Sequence, residues 1–310
     1  MKSASIAALA AIGAASVSAM PSSYAAFKNA LHRRADGPTD TQVLQYALTL
    51  ENLEKRFYAD ALSQFDEAAF EAAGYPNWVR GRLSQIAGHE SDHVSLLSTA
   101  LGNESVAECT YNFPYTDVKS FVGLATLLEN VGVSAYAGAA QYISNKDYLT
   151  VAAVILSTEA RHQAWESSAV GGSNPWGSAY DTPLDLNMVY TLASAFITSC
   201  PDSNAALPVK AYSTLTVGDG YAAGSQASFT FDDSHTATNY VIFYEGLGSR
   251  AVQLDENDQA TIPSELQGVV YALVSTSSDP KGVTTDNIVA GPAILNFPFG
   301  AWSENPAFAG

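Results

Sequence analysis

Basic residues are scarce in this chain: 14 Lys and Arg stand against 31 Asp and Glu, for a formal net charge of −17. A chain so acidic argues against nucleic acid or an anionic membrane as partner, since like charges repel. Cysteine is nearly absent too, with only Cys109 and Cys200, and without a Cys-x-x-Cys spacing a reactive thiol pair is disfavoured. Long apolar runs are missing: no segment reaches the roughly 20 apolar residues that a spanning helix needs. A soluble mature protein is therefore expected. The 310 residues suffice for one large domain or two of average size.

The chain opens on Met1-Lys2 and an Ala-rich apolar run ending in Val17-Ser18-Ala19, the pattern of a signal peptide over residues 1–19. Residues 20–34 end in His32-Arg33-Arg34 and read as a pro-segment cut at the dibasic pair, or else as a basic arm that stays on. Because residues 1–34 hold four Lys/Arg and no Asp/Glu, their removal takes the charge from −17 to −21. The expected location is secreted, extracellular or in the cell wall. In that setting Cys109 and Cys200 form a disulfide across about 90 residues, a loop that the chain-entropy model values at up to ~4 kcal/mol. Asn103-Glu104-Ser105 is a glycosylation sequon in a predicted loop, where Asn103 could carry a glycan.

From Thr39 the pattern turns helical. Thr39 or Asp40 serves as N-cap after Pro38, and Leu44, Leu48, Glu51, Tyr58, Leu62 and Phe65 recur at helical spacing. A second helix follows Gly74-Tyr75-Pro76, with Val79, Leu83, Ile86, Glu90, His93, Leu97 and Leu101 on one stripe, and ends at Gly102. A third runs from about Asp117 through Glu129 and Tyr136. A fourth, after Asn145-Lys146, carries Ile155, Glu159, His162 and Glu166 and stops at Gly171-Gly172. Leu50-Glu51-Asn52-Leu53 recurs as Leu128-Glu129-Asn130-Val131, each copy with a tyrosine seven residues after its glutamate and each followed downstream by Glu-x-x-His.

Four helices that each hide one stripe pack as a bundle. At about 1.5 Å per residue, Glu51 and Glu129 lie about 14 and 15 residues before their turns, and Glu90 and Glu159 about 13 and 14 after the starts of their helices. In two antiparallel hairpins the glutamates then meet at one height. The connection over 103–116 can span ~45 Å at about 3.3 Å per residue, enough for a crossover. Four carboxylates in an apolar core without Lys or Arg on the same stripes would cost several kcal/mol per ion if unpaired. Two divalent cations balance them, and mixed carboxylate and imidazole ligation suits iron or manganese, with zinc possible. His89 reads as a packing or surface residue. Glu54, whose counterpart in the second copy is Gly132, reads as outward or as a carboxylate behind the ligands. Tyr58 and Tyr136 read as core residues, or else as hydrogen-bond donors to the ligands or redox-active phenols.

This arrangement resembles the ferritin-like di-metal carboxylate superfamily. Ala47-Leu48-Thr49-Leu50-Glu51-Asn52-Leu53-Glu54 and Ser199-Cys200-Pro201 resemble secreted fungal stress-response and sexual-development proteins related to plant desiccation-related proteins. The resemblance implies Glu51 and Glu129 as terminal ligands, Glu90 and Glu159 as bridging ligands, and His93 and His162 as the imidazoles. It also implies oxidoreductase chemistry on oxygen, peroxide or ferrous iron. A non-enzymatic stress-protective or cell-wall-associated protein, with a structural or vestigial metal site, is the alternative. A monomer or small oligomer is expected rather than a storage cage, because an appended domain complicates closed assembly.

The irregular stretch 171–183 is expected to shield one end of the bundle, and a fifth helix covers about 183–198. Beyond Pro208, Gln226 to Phe231, Tyr240 to Tyr244, Val269 to Val274 and Ile288 to Asn296 read as strands. About seven strands in about 100 residues suggest an immunoglobulin-like β-sandwich. The expected division is a helical unit over 35–205 and a β unit over 206–310. Asp255-Glu256-Asn257-Asp258 reads as an acidic turn without the spacing of a calcium loop, and His235 as a loop residue without an assigned role.

Overall fold

The computed structural model describes residues 37–232 and 237–303; the expected signal peptide, the pro-segment and His235 lie outside the described residues. The helical half contains α1 (Asp40–Gln64), α2 (Glu67–Ala72), α3 (Trp78–Leu101), α4 (Val118–Ala139), α5 (Lys146–Trp165) and α6 (Leu186–Ser194). Thr39 is the N-cap of α1, in a capping box with Gln42. Asp40 instead accepts from the backbone N–H of Ser144 (2.7 Å) and Asn145 (2.8 Å), which ties the start of α1 to the turn between α4 and α5. Asp117 and Asn145 cap α4 and α5.

Helices α1 and α3 run antiparallel. Arg80 near the start of α3 donates to the Leu62 and Phe65 carbonyls at the end of α1. Gln45 near the start of α1 donates to the Glu104 carbonyl beyond the end of α3. Helices α4 and α5 form the second hairpin. The short helix α2 was not expected. Asp66 caps it by accepting from Ala69 N–H (2.9 Å), and Phe70 is wholly buried beneath it.

The connection between α3 and α4 crosses over the bundle, with Phe113 and Tyr115 stacking on each other and meeting Phe57 edge to face. Within it, strand β1 (Thr110–Tyr111) pairs antiparallel with β2 (Ile197–Ser199). The expected fifth helix is therefore shorter than its sequence pattern suggested. It ends at Ser194, because β-branched Ile197 and Thr198 are drawn into this ribbon beside the Cys109–Cys200 disulfide. Asn103 is exposed on the turn that follows α3.

Among its described residues the C-terminal half is a sandwich of seven strands: β3 (Thr216–Val217), β4 (Gln226–Thr230), β5 (Tyr240–Glu245), β6 (Gly248–Gln253), β7 (Gln259–Thr261), β8 (Gly268–Ser275) and β9 (Ile288–Phe297). One sheet has the order β3-β4-β7 and the other β6-β5-β8-β9, an immunoglobulin-like three-plus-four arrangement. Strand β8 is buried almost throughout, where an alternating pattern would be usual. Its sheet is covered on both faces. Val270, Ala272 and Val274 face the sandwich core with Phe229 and Phe243, while Tyr271 and Leu273 pack on Val131, Ala135 and Leu184 of the helical half.

The Tyr271 hydroxyl sits 2.8 Å from Asn130 Nδ2 and 2.9 Å from Ser134 Oγ, both on α4. Residues 171–183 do not shield a bundle end; they seam the bundle to the sandwich. Asn174 exchanges hydrogen bonds with Phe299, and Gly177 lies against the backbone of Gln267 and Gly268 so closely that a Cβ would not fit. The acidic turn at 255–258 spends its first carboxylate on the backbone N–H of Asn257 and Gln259.

Candidate metal centre

Helical periodicity puts one glutamate of each long helix on its inward stripe, and the two hairpins bring these stripes to a common level. Helix α1 supplies Glu51, α3 Glu90 and His93, α4 Glu129, and α5 Glu159 and His162. Five of the six are buried, and His93 is 11% exposed at its side chain. They form two overlapping groups, Glu51-Glu90-His93-Glu159 and Glu90-Glu129-Glu159-His162, in each of which one ligand atom per residue lies within 4.8 Å of the others. Glu90 and Glu159 belong to both.

The two histidines present the same ring nitrogen. His93 Nδ1 lies 3.1 Å from Glu90, 3.2 Å from Glu51 and 3.3 Å from Glu159. His162 Nδ1 lies 3.1 Å from Glu129 and 3.4 Å from Glu90. On its other side, His162 Nε2 meets His89 Nδ1 at 2.9 Å, with the rings stacked. His89 keeps its surface position, but it also orients His162. With the proton on Nε2 donated to His89, Nδ1 of His162 is left free to act as a ligand. The run His89-Glu90-x-x-His93 was the sequence signal for this, since it sets two imidazoles one turn apart.

The tyrosines cross between the two copies. Tyr136, from the second copy, donates a short hydrogen bond to Glu51 of the first. Tyr58, from the first, lies 2.5 Å from Glu129 of the second and 2.9 Å from Glu166. A phenol has one proton, so with two carboxyl oxygens around it one carboxyl must itself be protonated. Glu166 was on the predicted stripe with no role assigned. It is wholly buried at the start of a π-helical segment, Glu166–Val170, that follows α5. Glu54 is buried as well, not outward. Its Oε1 would lie 3.2 Å from a Cβ at Gly132, and Glu159 Oε2 only 2.5 Å from it. Gly132 is thus the space into which these two carboxylates fit. Replacing Tyr58 by phenylalanine leaves one buried carboxyl without its donor and the other without its acceptor, at about 1–3 kcal/mol. A fall in Tm of roughly 2–12 °C is expected for a unit of 150–250 residues. An unchanged thermal melt would show that the phenol contributes nothing to holding the carboxylates.

Burial raises the carboxyl groups of Glu54, Glu90, Glu159 and Glu166 well above the usual carboxylate range, and the neighbouring glutamates add to it. Burial carries Glu129 to about 8. Burial opposes charge on His93, but the carboxylates of Glu159, Glu51 and Glu90 gathered around its Nδ1 outweigh that and carry it to about 12. Burial lowers His162.

The ion pairs of Lys and Arg among the described residues lie elsewhere, at Glu108, Asp60, Glu245 and Glu265. Glu90 Oε1 and both oxygens of Glu159 are fully buried without a hydrogen-bond partner. Such oxygens are costly unless a cation takes them. Mixed oxygen and imidazole donors on converging helices fit divalent transition ions. Two divalent ions offset four carboxylates, and the balance stays at zero if Glu54 and Glu166 are held as neutral acids.

Residues 39–172 match the family described as "Ferritin-like domain". Over 165 residues the chain is 26% identical to "Protein rds1" of Schizosaccharomyces pombe (strain 972 / ATCC 24843). That match covers 53% of this chain and 41% of the relative's length.

Proposed function

We propose that this ferritin-like domain holds two ions of iron or manganese and serves as an oxidoreductase centre acting on oxygen, peroxide or ferrous iron, in a secreted protein of a stress or developmental setting. In this reading Glu51 and Glu129 are terminal ligands, Glu90 and Glu159 bridge, and His93 and His162 complete the set. The observation that carries it is the sharing of Glu90 and Glu159 between two buried donor groups, with oxygens that no protein donor satisfies. When bound, the ions supply Lewis acidity and electron exchange with the small oxidant or reductant.

The chain's own residues do the rest. Tyr58 and Tyr136 hold the outer oxygens of Glu129 and Glu51, and His89 fixes the His162 ring. Ile86, Ala125 and Ile155, each one helical turn before Glu90, Glu129 and Glu159, are buried, and in this reading they keep bulk water away. In this reading the helical unit spans 35–205, the β unit 206–310, and the protein is a monomer or small oligomer.

The test is metal analysis of the purified mature protein after anaerobic reconstitution. About two equivalents of Fe or Mn per chain are expected from two donor groups of this kind. Binding below about 0.1 equivalent of Fe, Mn or Zn would remove the reading, because donors of this kind bind such ions strongly.

A further inference from the structure

An apolar cavity between the bundle and the sandwich lies outside the carboxylate cluster but shares residues with its surroundings. It has a volume of about 430 Å³. Leu50 and Leu53 of α1 and Leu124 and Val131 of α4 form one side, α6 and Phe196 a second, and Val217 of β3 and Ile294 of β9 the third. Glu54 is the single charged side chain lining it, and Gly132 lines it too. A Cβ on Gly132 would come within 2.5 Å of Glu159 Oε2. Gly132 is therefore common to the cavity lining and to the packing of Glu159, a member of both donor groups.

We infer that this cavity, walled by bundle and sandwich together, binds a neutral, mainly hydrocarbon molecule carrying one hydroxyl or carbonyl, and that this molecule is the substrate class brought to the metal centre. The volume falls in the range of small-ligand pockets, and burial of apolar surface drives occupation. Anionic ligands such as fatty acids are disfavoured because the lining holds no Lys, Arg or His to pair with them and the chain is acidic. The few polar residues of the lining, Thr214, Thr216 and Tyr221 among them, suit one hydrogen-bonding end. The β-sandwich then has a binding role, since removing it would leave the cavity open on one side. The assignment as substrate rests on the metal-centre reading above; the binding site itself rests on the cavity alone.

The experiment uses the full mature chain, metal-free and metal-loaded, with the neutral fluorophore N-phenyl-1-naphthylamine and 1-decanol as competitor. Saturable uptake of about one fluorophore per chain, displaced by decanol, is expected. Ala293→Trp and Leu124→Trp fill the cavity from opposite walls, and each is expected to weaken uptake by about tenfold or more while leaving metal content unchanged. In the Co(II)-loaded protein, decanol is expected to alter the visible absorption bands. Absence of saturable uptake by the wild type, or uptake indifferent to both substitutions in variants that melt cooperatively, overturns the cavity as a binding site. Uptake that leaves the Co(II) bands unmoved overturns the assignment as substrate. Uptake by a protein that binds no metal overturns the metal reading, and the substrate assignment with it, while supporting the binding site.

Discussion

Replacing Glu90 and Glu159 together by glutamine should abolish uptake of both ions and, in metal-free protein, raise the melting temperature rather than lower it. These two residues belong to both donor groups, so no second site survives their loss. Their unpartnered oxygens sit in a fully buried cluster whose other members are carboxylates and imidazoles. Such groups cost several kcal/mol when no cation compensates them. An amide of the same shape carries no charge and less desolvation cost. A gain of about 2 kcal/mol corresponds to roughly 4–8 °C in Tm for a unit of 150–250 residues.

The metal-loaded wild type should in turn melt above both metal-free proteins, since each ion adds about 2.7 kcal/mol over the metal-free wild type at a free ion concentration one hundred times its Kd. Calorimetry with and without chelator reads all three states. If the double variant still binds two ions, the bridging assignment is wrong. If chelator leaves the wild-type melt unmoved, the cluster is not a metal site.

Much of this centre was legible because helix geometry is local. A period of 3.6 residues fixes which side chains share a face, and the rise per residue fixes their heights. The six expected residues could be placed together without knowing how the hairpins pack. The strands Gln226–Thr230, Tyr240–Glu245, Gly268–Ser275 and Ile288–Phe297 were legible for the same reason, as β-branched and aromatic runs between turns. What was not legible depends on a neighbouring element. His89 looks outward on α3 until α5 brings His162 against it. Glu166 becomes part of the cluster because Tyr58 of α1 reaches it. The end of the fifth helix was lost to a ribbon whose partner strand lies about 90 residues earlier, in β1.

Gly132 is the most instructive of these positions. It stands where the first copy has Glu54, and that mismatch suggested that Glu54 turns outward. The structure supports the opposite inference. The second copy gives up its side chain so that Glu54 and Glu159 can occupy the space between α1, α4 and α5. The two copies are thus not equivalent: one contributes an additional carboxyl, the other the room for it.

Gly132→Ala should accordingly weaken metal binding by about 10- to 100-fold, the usual range for displacing groups that hold ligands in place. The added Cβ would stand 2.5 Å from Glu159 Oε2 and 3.2 Å from Glu54 Oε1. The first distance is well inside van der Waals contact. Glu159 cannot swing into solvent, because it is wholly buried. Either its carboxylate rotates away from both donor groups or α4 backs off from α1 and α5, and either movement separates the shared ligand from its partners. Glu54 has less to lose, since it is absent from both groups.

Gly123→Ala on the same helix is the control. A Cβ there meets nothing within 4 Å, so the change should gain up to ~1 kcal/mol of helix propensity and leave metal binding alone. Metal titrations of the two variants, read beside their thermal melts, separate a local displacement from a general loss of fold. Wild-type affinity in Gly132→Ala would mean that Glu159 is not held where a bridging ligand must be. Loss of affinity with a preserved melt would place the fault at the carboxylate itself.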